Sequence, residues 1–204
     1  MLTIKQLTSP HSFAANTYLI TSCDECAVID PAAPYDPSFI SGRVKYIFLT
    51  HAHFDHILEI DSWVNATGAQ VVIAKGDAPA LSDSNLNCYA LFASVNRGYS
   101  GDATVAVSGD SFLLGEDTIS VIESPGHTAG SCVYLSGIFA FVGDTLFAGG
   151  GFGRWDLPTG NYAQLRESID KLLELPDVTV IYCGHGESTT IKEYKEVYKK
   201  QRKI

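Results

Sequence analysis

No stretch of the sequence approaches the about 18 consecutive apolar residues that cross a bilayer. The N-terminal Met1-Leu2-Thr3-Ile4-Lys5 also lacks the basic-then-apolar layout of a secretion signal. Both absences lead us to expect a cytoplasmic protein that does not engage a membrane. Basic charge is scarce as well: 14 Lys and Arg stand against 23 Asp and Glu, for a formal charge of −9. That balance disfavours a nucleic-acid partner, since nonspecific phosphate binding needs clustered cations. The one locally basic stretch, Lys192 to Lys203, is expected to be the solvated face of a last helix. The 5 cysteines, Cys23, Cys26, Cys88, Cys132 and Cys183, are odd in number and too scattered for a disulfide framework. Low-complexity tracts are missing too, and 204 residues with 46% apolar content suit one well-packed domain over 1–204.

Strands are predicted at 2–8, 17–20 and 27–29, the last two joined by a turn over 21–26 that holds Cys23 and Cys26. A lone pair of thiols spaced this way is expected to be a surface turn. Zinc ribbons need a second pair, and redox motifs sit at strand-to-helix junctions. Tyr46 to Thr50 and 70–74 read as buried strands, and 76–81 begins a helical or looped excursion. Residues 82–103, rich in Ser, Asn and Gly around Tyr89, Phe92 and Tyr99, form either a flap beside a site or a surface connection. Further strands are expected at 104–108, 111–114, 117–123, 131–135, 138–142 and 178–182, with helices at 162–175 and 189–201. Strands and helices pair in both halves, which predicts an α/β fold of two sheets face to face with helices outside.

Chemistry concentrates in Thr50-His51-Ala52-His53-Phe54-Asp55-His56, where three imidazoles and a carboxylate crowd together. His51 and His53 are two apart and are expected to project the same way at a strand end. Asp55 and His56 are expected to open the amphipathic helix that carries Ile57, Ile60, Trp63 and Val64. Imidazole with carboxylate and no thiolate points to a catalytic rather than a structural metal site. Three later segments add His127, Asp144 and His185, each at a strand end beside glycine, which permits close backbone approach. His11 has no motif partner and is expected to be a surface residue. Cys132 and Cys183 are expected to be small buried residues rather than nucleophiles.

In this order and at these separations, the motif with His127, Asp144 and His185 resembles the metallo-β-lactamase superfamily, over nearly the whole chain. The resemblance implies an αββα four-layer sandwich with the site at one edge. It implies that His51, His53 and His127 hold one metal, that Asp55, His56 and His185 hold a second, and that Asp144 bridges them. Within the superfamily, Ser124-Pro125-Gly126-His127-Thr128, Gly143-Asp144-Thr145, Gly153-Arg154-Trp155-Asp156-Leu157-Pro158 and Cys183-Gly184-His185-Gly186 are similar to the glyoxalase II-like (hydroxyacylglutathione hydrolase-like) branch. Glyoxalase II proper carries an added C-terminal helical region with glutathione contacts, and little sequence follows His185 here, so the chain looks closer to the short members of that branch.

What the resemblance implies is a thioester hydrolase with a small-molecule substrate, an S-acylglutathione being one candidate. Two divalent metal ions, zinc first with iron or manganese open, share an attacking hydroxide, and Asp55 and Asp144 are the catalytic carboxylates. Arg154 and Asp156 read equally as partners that orient a ligand or as an ordinary loop ion pair. The alternative is a persulfide dioxygenase-like protein, a family that also has a Gly-Arg-x-Asp loop and uses a single iron held by two histidines and an aspartate.

Overall fold

The central strands are apolar on both faces, and this determines their place. In β4 (Arg43–Leu49) every residue from Tyr46 to Leu49 is buried, as expected of a parallel strand covered on both sides. β1 (Thr3–Leu7), by contrast, is largely exposed and lies at an edge. The computed structural model describes residues 2–95 and 97–201. Asn96 of the 82–103 segment, and Arg202 and Lys203 of the basic tail, lie outside the described residues.

β1, β2 (Thr17–Ser22), β3 (Glu25–Ile29), β4, β5 (Gln70–Ala74) and β6 (Ala103–Ala106) form one six-stranded sheet in that order. Its first three strands are antiparallel, and β3 through β6 run parallel. β7 (Ser111–Leu114), β8 (Asp117–Glu123), β9 (Cys132–Ser136), β10 (Phe139–Gly143), β11 (Val180–Cys183) and β12 (Thr189–Thr190) form the second six-stranded sheet, where only β10 and β11 are parallel. Between the sheets pack Tyr18, Ile20, Phe48, Val72, Tyr134 and Phe141, all buried.

The outer face of the first sheet is covered by α1 (Ile60–Thr67), whose Trp63 is fully buried and donates its indole N–H to the Ala33 carbonyl at 2.7 Å. α3 (Tyr162–Leu172) and α4 (Ile191–Gln201) cover the second sheet with Leu165, Ile169, Leu172, Ile191 and Tyr194. The result is the expected αββα sandwich of two mixed sheets with helices outside. Among the described residues no helix is long and apolar enough to cross a membrane.

Three local expectations are corrected, and one left open is decided. Asp55 and His56 do not open the helix; they lie in a separate 3₁₀ turn, Phe54–His56, and α1 begins only at Ile60. The tighter turn aims both side chains back at the strand end, which a continuous α-helix would carry away along its axis. Thr189 and Thr190 belong to β12, paired antiparallel with β11, so the last helix starts at Ile191. Cys26 is not in a surface turn: it is buried within β3, and only Cys23 is exposed at the tight hairpin turn. The 82–103 segment contains the short helix α2 (Tyr89–Phe92), and Cys88 and Phe92 face the pocket described below, so part of it is a wall of the site.

Candidate metal centre

The cluster forms where strand ends from both sheets meet. His51 and His53 leave β4, and Asp55 and His56 follow in the 3₁₀ turn. His127 sits between β8 and β9, Asp144 directly follows β10, and His185 follows β11. Glycine makes two of these turns possible. Gly126, before His127, has φ +133°, and Gly143, before Asp144, has φ +51° with the Thr50 side chain packed where a Cβ would stand. Gly153 and Gly184 leave no room for a side chain: a Cβ at Gly153 would meet the His127 ring and the Asp144 carbonyl, and one at Gly184 would meet the Asp144 carboxylate and the His56 ring.

Hydrogen bonds on the far side of three imidazoles fix which nitrogen of each faces inward. His127 Nδ1 lies 2.7 Å from the Arg154 carbonyl, which can only accept, so Nδ1 carries the proton. Thr50 donates its hydroxyl to Asp30 Oδ2 at 2.7 Å and therefore accepts from His51 Nδ1 at 3.1 Å. His56 Nδ1 donates to Asp30 Oδ2 at 2.8 Å. In the neutral rings the inward Nε2 atoms then bear lone pairs. His51 Nε2 and His127 Nε2 are 3.2 Å apart, two acceptors facing one another, and His127 Nε2 is 2.9 Å from His53 Nδ1.

The carboxylates complete the set. Asp144 Oδ1 lies 3.3 Å from His56 Nε2, while Oδ2 lies 3.6 Å from His127 Nε2 and 3.7 Å from His185 Nε2. His185 Nε2 is 3.1 Å from Asp55 Oδ2. His53 Nε2, His56 Nε2 and Asp144 Oδ1 are buried without a hydrogen-bond partner. Three overlapping groups are spaced to hold cations: His51, His53 and His127; His51, His56 and Asp144; and Asp55, His56 and His185. All seven residues named from the sequence thus converge, with Asp144 between the two outer groups.

Burial, with His56 and His127 close by, holds His51 well below the usual imidazole range. Burial likewise drops His53 to about 3. For His56 burial is outweighed by Asp30 and Asp144, which push its pKa well above the ordinary value. Burial raises Asp144, but His56 and the other imidazoles more than offset this and leave it well below the usual carboxylate range. Burial pushes the Cys88 and Cys183 thiols up to about 11, and Cys132 higher still, so none offers a thiolate near neutral pH.

Two supports lay outside the motifs. Asp30 adopts a left-handed backbone, φ +50°, held by its bonds to Thr50 N–H at 2.8 Å, to the Thr50 hydroxyl and to His56. Asp77 is buried and accepts from Ala52 N–H at 2.9 Å, Thr128 Oγ1 at 2.9 Å and Gly130 N–H at 2.7 Å, tying the His51–His53 loop to the His127 loop. The signal available in the sequence was weak: Asp30 directly follows a predicted strand and Asp77 falls in the 76–81 excursion, and each reads as a turn or loop residue. Arg154 and Asp156 form an exposed bidentate ion pair at 2.7 and 2.8 Å, so what orients His127 is the Arg154 carbonyl, not either side chain. His11 is exposed and pairs with Glu59 at 2.7 Å.

The cluster is the floor of a pocket of about 540 Å³, walled by Phe13, Phe54, Cys88, Phe92, Phe147 and Leu157 among others. Asn16 secures the His185 side, donating its side-chain amide to the Cys183 and Gly186 carbonyls at 3.1 and 2.9 Å.

A family model described as the metallo-beta-lactamase superfamily matches residues 12–185. A probable metallo-hydrolase of Bacillus subtilis (strain 168) is 34% identical over 191 residues, 87% of this chain and 87% of that relative. A hydroxyacylglutathione hydrolase of Rhodospirillum rubrum is 34% identical over 167 residues, covering 78% of this chain and 57% of that relative. Among solved structures, the BLEG-1 B3 metallo-beta-lactamase is similar with TM-score 0.85 and 29% identity, over 95% of this chain and 97% of that one. TTHA1623 in a di-iron-bound form is similar with TM-score 0.78 and 27% identity, over 93% and 96%.

Proposed function

The chain belongs to the metallo-beta-lactamase superfamily, and on that premise we propose that it is a hydrolase with two metal ions whose substrates are acyl thioesters. The observation that carries the metal reading is the facing pair of His51 Nε2 and His127 Nε2, two lone pairs 3.2 Å apart. Such a pair is repulsive unless a cation stands between them, and the orphaned His56 Nε2 and Asp144 Oδ1 beside it fit a second ion. The di-iron form of TTHA1623 supports a two-ion count. Similarity to hydroxyacylglutathione hydrolases supports the thioester substrate, although the chain spans only 57% of the Rhodospirillum rubrum protein's length.

His51, His53 and His127 would hold one ion, Asp55, His56 and His185 the other, with Asp144 shared. Bound there, divalent ions supply a water acidified to a pKa of about 7 and Lewis-acid polarisation of a carbonyl. The outward Nδ1–H bonds to Thr50, Arg154 and Asp30 keep three rings from rotating and fix the tautomer that offers Nε2. Asp55 faces the pocket, where its free lone pairs can accept a hydrogen bond from the attacking water and aim it. Phe54, Phe92 and Phe147 exclude bulk water from the carbonyl.

Metal analysis of the purified protein, with thioester-hydrolysis and oxygen-uptake assays on the same sample, tests this reading. Two equivalents of metal with acyl-thioester turnover are expected. One iron with oxygen consumption on a glutathione persulfide would replace it with the dioxygenase alternative.

A further inference from the structure

The wall above the cluster is aromatic and almost uncharged. Phe13, Phe54, Phe92, Phe147 and Leu157 supply most of it, and among the described residues Arg154 is the only lysine or arginine lining it. That guanidinium is already engaged, since Nε and Nη2 donate to the two carboxylate oxygens of Asp156. Phe13 is 77% exposed and Phe92 52%, so both present apolar surface at the pocket mouth.

This wall is preformed. The Phe54 N–H donates to the Asn87 carbonyl at 2.8 Å, and the Phe54 ring stacks on Phe92 with centroids 5.7 Å apart. The loop bearing Phe13 is pinned next to the cluster by Ala15 N–H to the Asp55 carbonyl at 3.0 Å and by Asn16 N–H to the Gly184 carbonyl at 2.7 Å. A stacked ring pair on one side of a reactive floor, with the backbone beside Phe13 pinned on the other, favours a ligand that is itself bulky and apolar.

We propose that the substrate carries a bulky apolar acyl group, aromatic or branched aliphatic, packed against Phe54 and Phe92, with a thiol half that is uncharged. The proposal rests on the thioester reading and narrows it. Glutathione would bring two carboxylates and an ammonium to a wall where the Arg154 guanidinium is spent on Asp156, in a chain of formal charge −9 that repels anions. In the reaction, water oxygen bonds to the acyl carbon, the carbon–sulfur bond breaks, and a proton from that water goes to the departing thiolate. The products are a carboxylic acid and a thiol, and no oxidant or reductant is needed.

The test uses metal-loaded protein and three thioesters: S-phenylacetyl-N-acetylcysteamine, S-phenylacetylglutathione and S-D-lactoylglutathione. The ratio kcat/KM is expected to fall in that order, with phenylacetyl favoured over lactoyl on glutathione by about tenfold or more, the scale set by a methylene or two in a fitted apolar pocket. Phe92→Ala is expected to shrink that acyl preference severalfold through KM. Calorimetry with the non-hydrolysable S-phenethyl thioethers of N-acetylcysteamine and glutathione separates this proposal from the one beneath it. If those ligands bind, the neutral one more tightly and with a loss in Phe92→Ala, but no thioester turns over, the thioester reading fails and the apolar pocket stands. A preference for lactoylglutathione, or an acyl preference that Phe92→Ala leaves unaltered, overturns the proposal.

Discussion

Asp30 Oδ2 lies 2.8 Å from His56 Nδ1 with both side chains buried, so a carboxylate on the far side of β4 in sequence sets the orientation of a ring in the centre of the cluster. Asp30→Asn keeps the size but leaves one accepting oxygen where both are used, so its amide N–H faces either the Thr50 N–H or the Thr50 hydroxyl and His56 Nδ1–H. Metal affinity is expected to fall by about 10–100-fold, as for other removed partners of ligand histidines. Competition with a calibrated chelator measures it; unchanged affinity would assign Asp30 a purely folding role.

Asp77 ties together two ligand loops without approaching the ions' positions. Both its oxygens accept from backbone N–H groups, so an asparagine in either orientation places an amide N–H against one of them. Asp77→Asn is expected to cost about 1–3 kcal/mol of stability, the scale for an unsatisfied buried group. It should also broaden the visible spectrum of the cobalt-substituted protein, as His127 and His53 lose their common reference. A normal cobalt spectrum in a destabilised protein would limit Asp77 to stability alone.

The metal-free protein is expected to lose stability as pH falls from about 6.5 toward 4. His51 and His53 have folded pKa values below the ordinary 6.5, the latter about 3, so in that window the unfolded chain takes up protons that the folded chain refuses. His56, raised above 6.5, is protonated in both states there and adds no slope, and the lowered Asp144 acts only below its ordinary 3.8. Each offset histidine contributes up to about 1.4 kcal/mol per pH unit. Urea titrations at several pH values should show this slope, reduced in His53→Gln; a flat profile would contradict it.

Gly153 and Arg154 are neighbours with opposite tolerances. Arg154→Ala retains the carbonyl that holds His127, and its metal affinity is expected to stay within about threefold of the parent. Gly153→Ala pushes a methyl into the His127 ring and the Asp144 carbonyl and should lose most of the metal. The same chelator competition compares them, and equal losses would return the orienting role to the guanidinium.

Ligands come from both sheets, so bound ions would cross-link them. Saturating metal at about 1,000 times its Kd is expected to add about 4 kcal/mol of stability, lost on chelation. Thermal melting with and without chelator measures the difference; identical melting curves would mean that the cluster holds no ion in the folded state.

The sandwich was legible because its central strands are apolar runs bounded by Gly, Asp and Pro, and seven site residues were legible because histidine is rare in the chain and grouped in one motif and two glycine-flanked strand ends. What was not legible is tertiary. Asp30 and Asp77 look like ordinary turn and loop aspartates, and only the approach of β4 and the His127 loop gives their oxygens partners. Arg154 contributes through its main chain, which side-chain identity does not report. The 3₁₀ turn at Phe54–His56 was missed because Ile57, Ile60, Trp63 and Val64 keep helical spacing straight through it.

The crowding at Gly153 and Gly184 also governs how this protein could be re-engineered. Each shares its loop with pocket wall, so a library that randomises whole loops would mostly return variants with a collapsed floor. Holding those two positions fixed while varying Ser12, Phe13, Phe92, Phe147 and Leu157 leaves the reactive centre intact and opens the wall to selection. New acyl preferences should therefore arise far more often from the second kind of library than from the first.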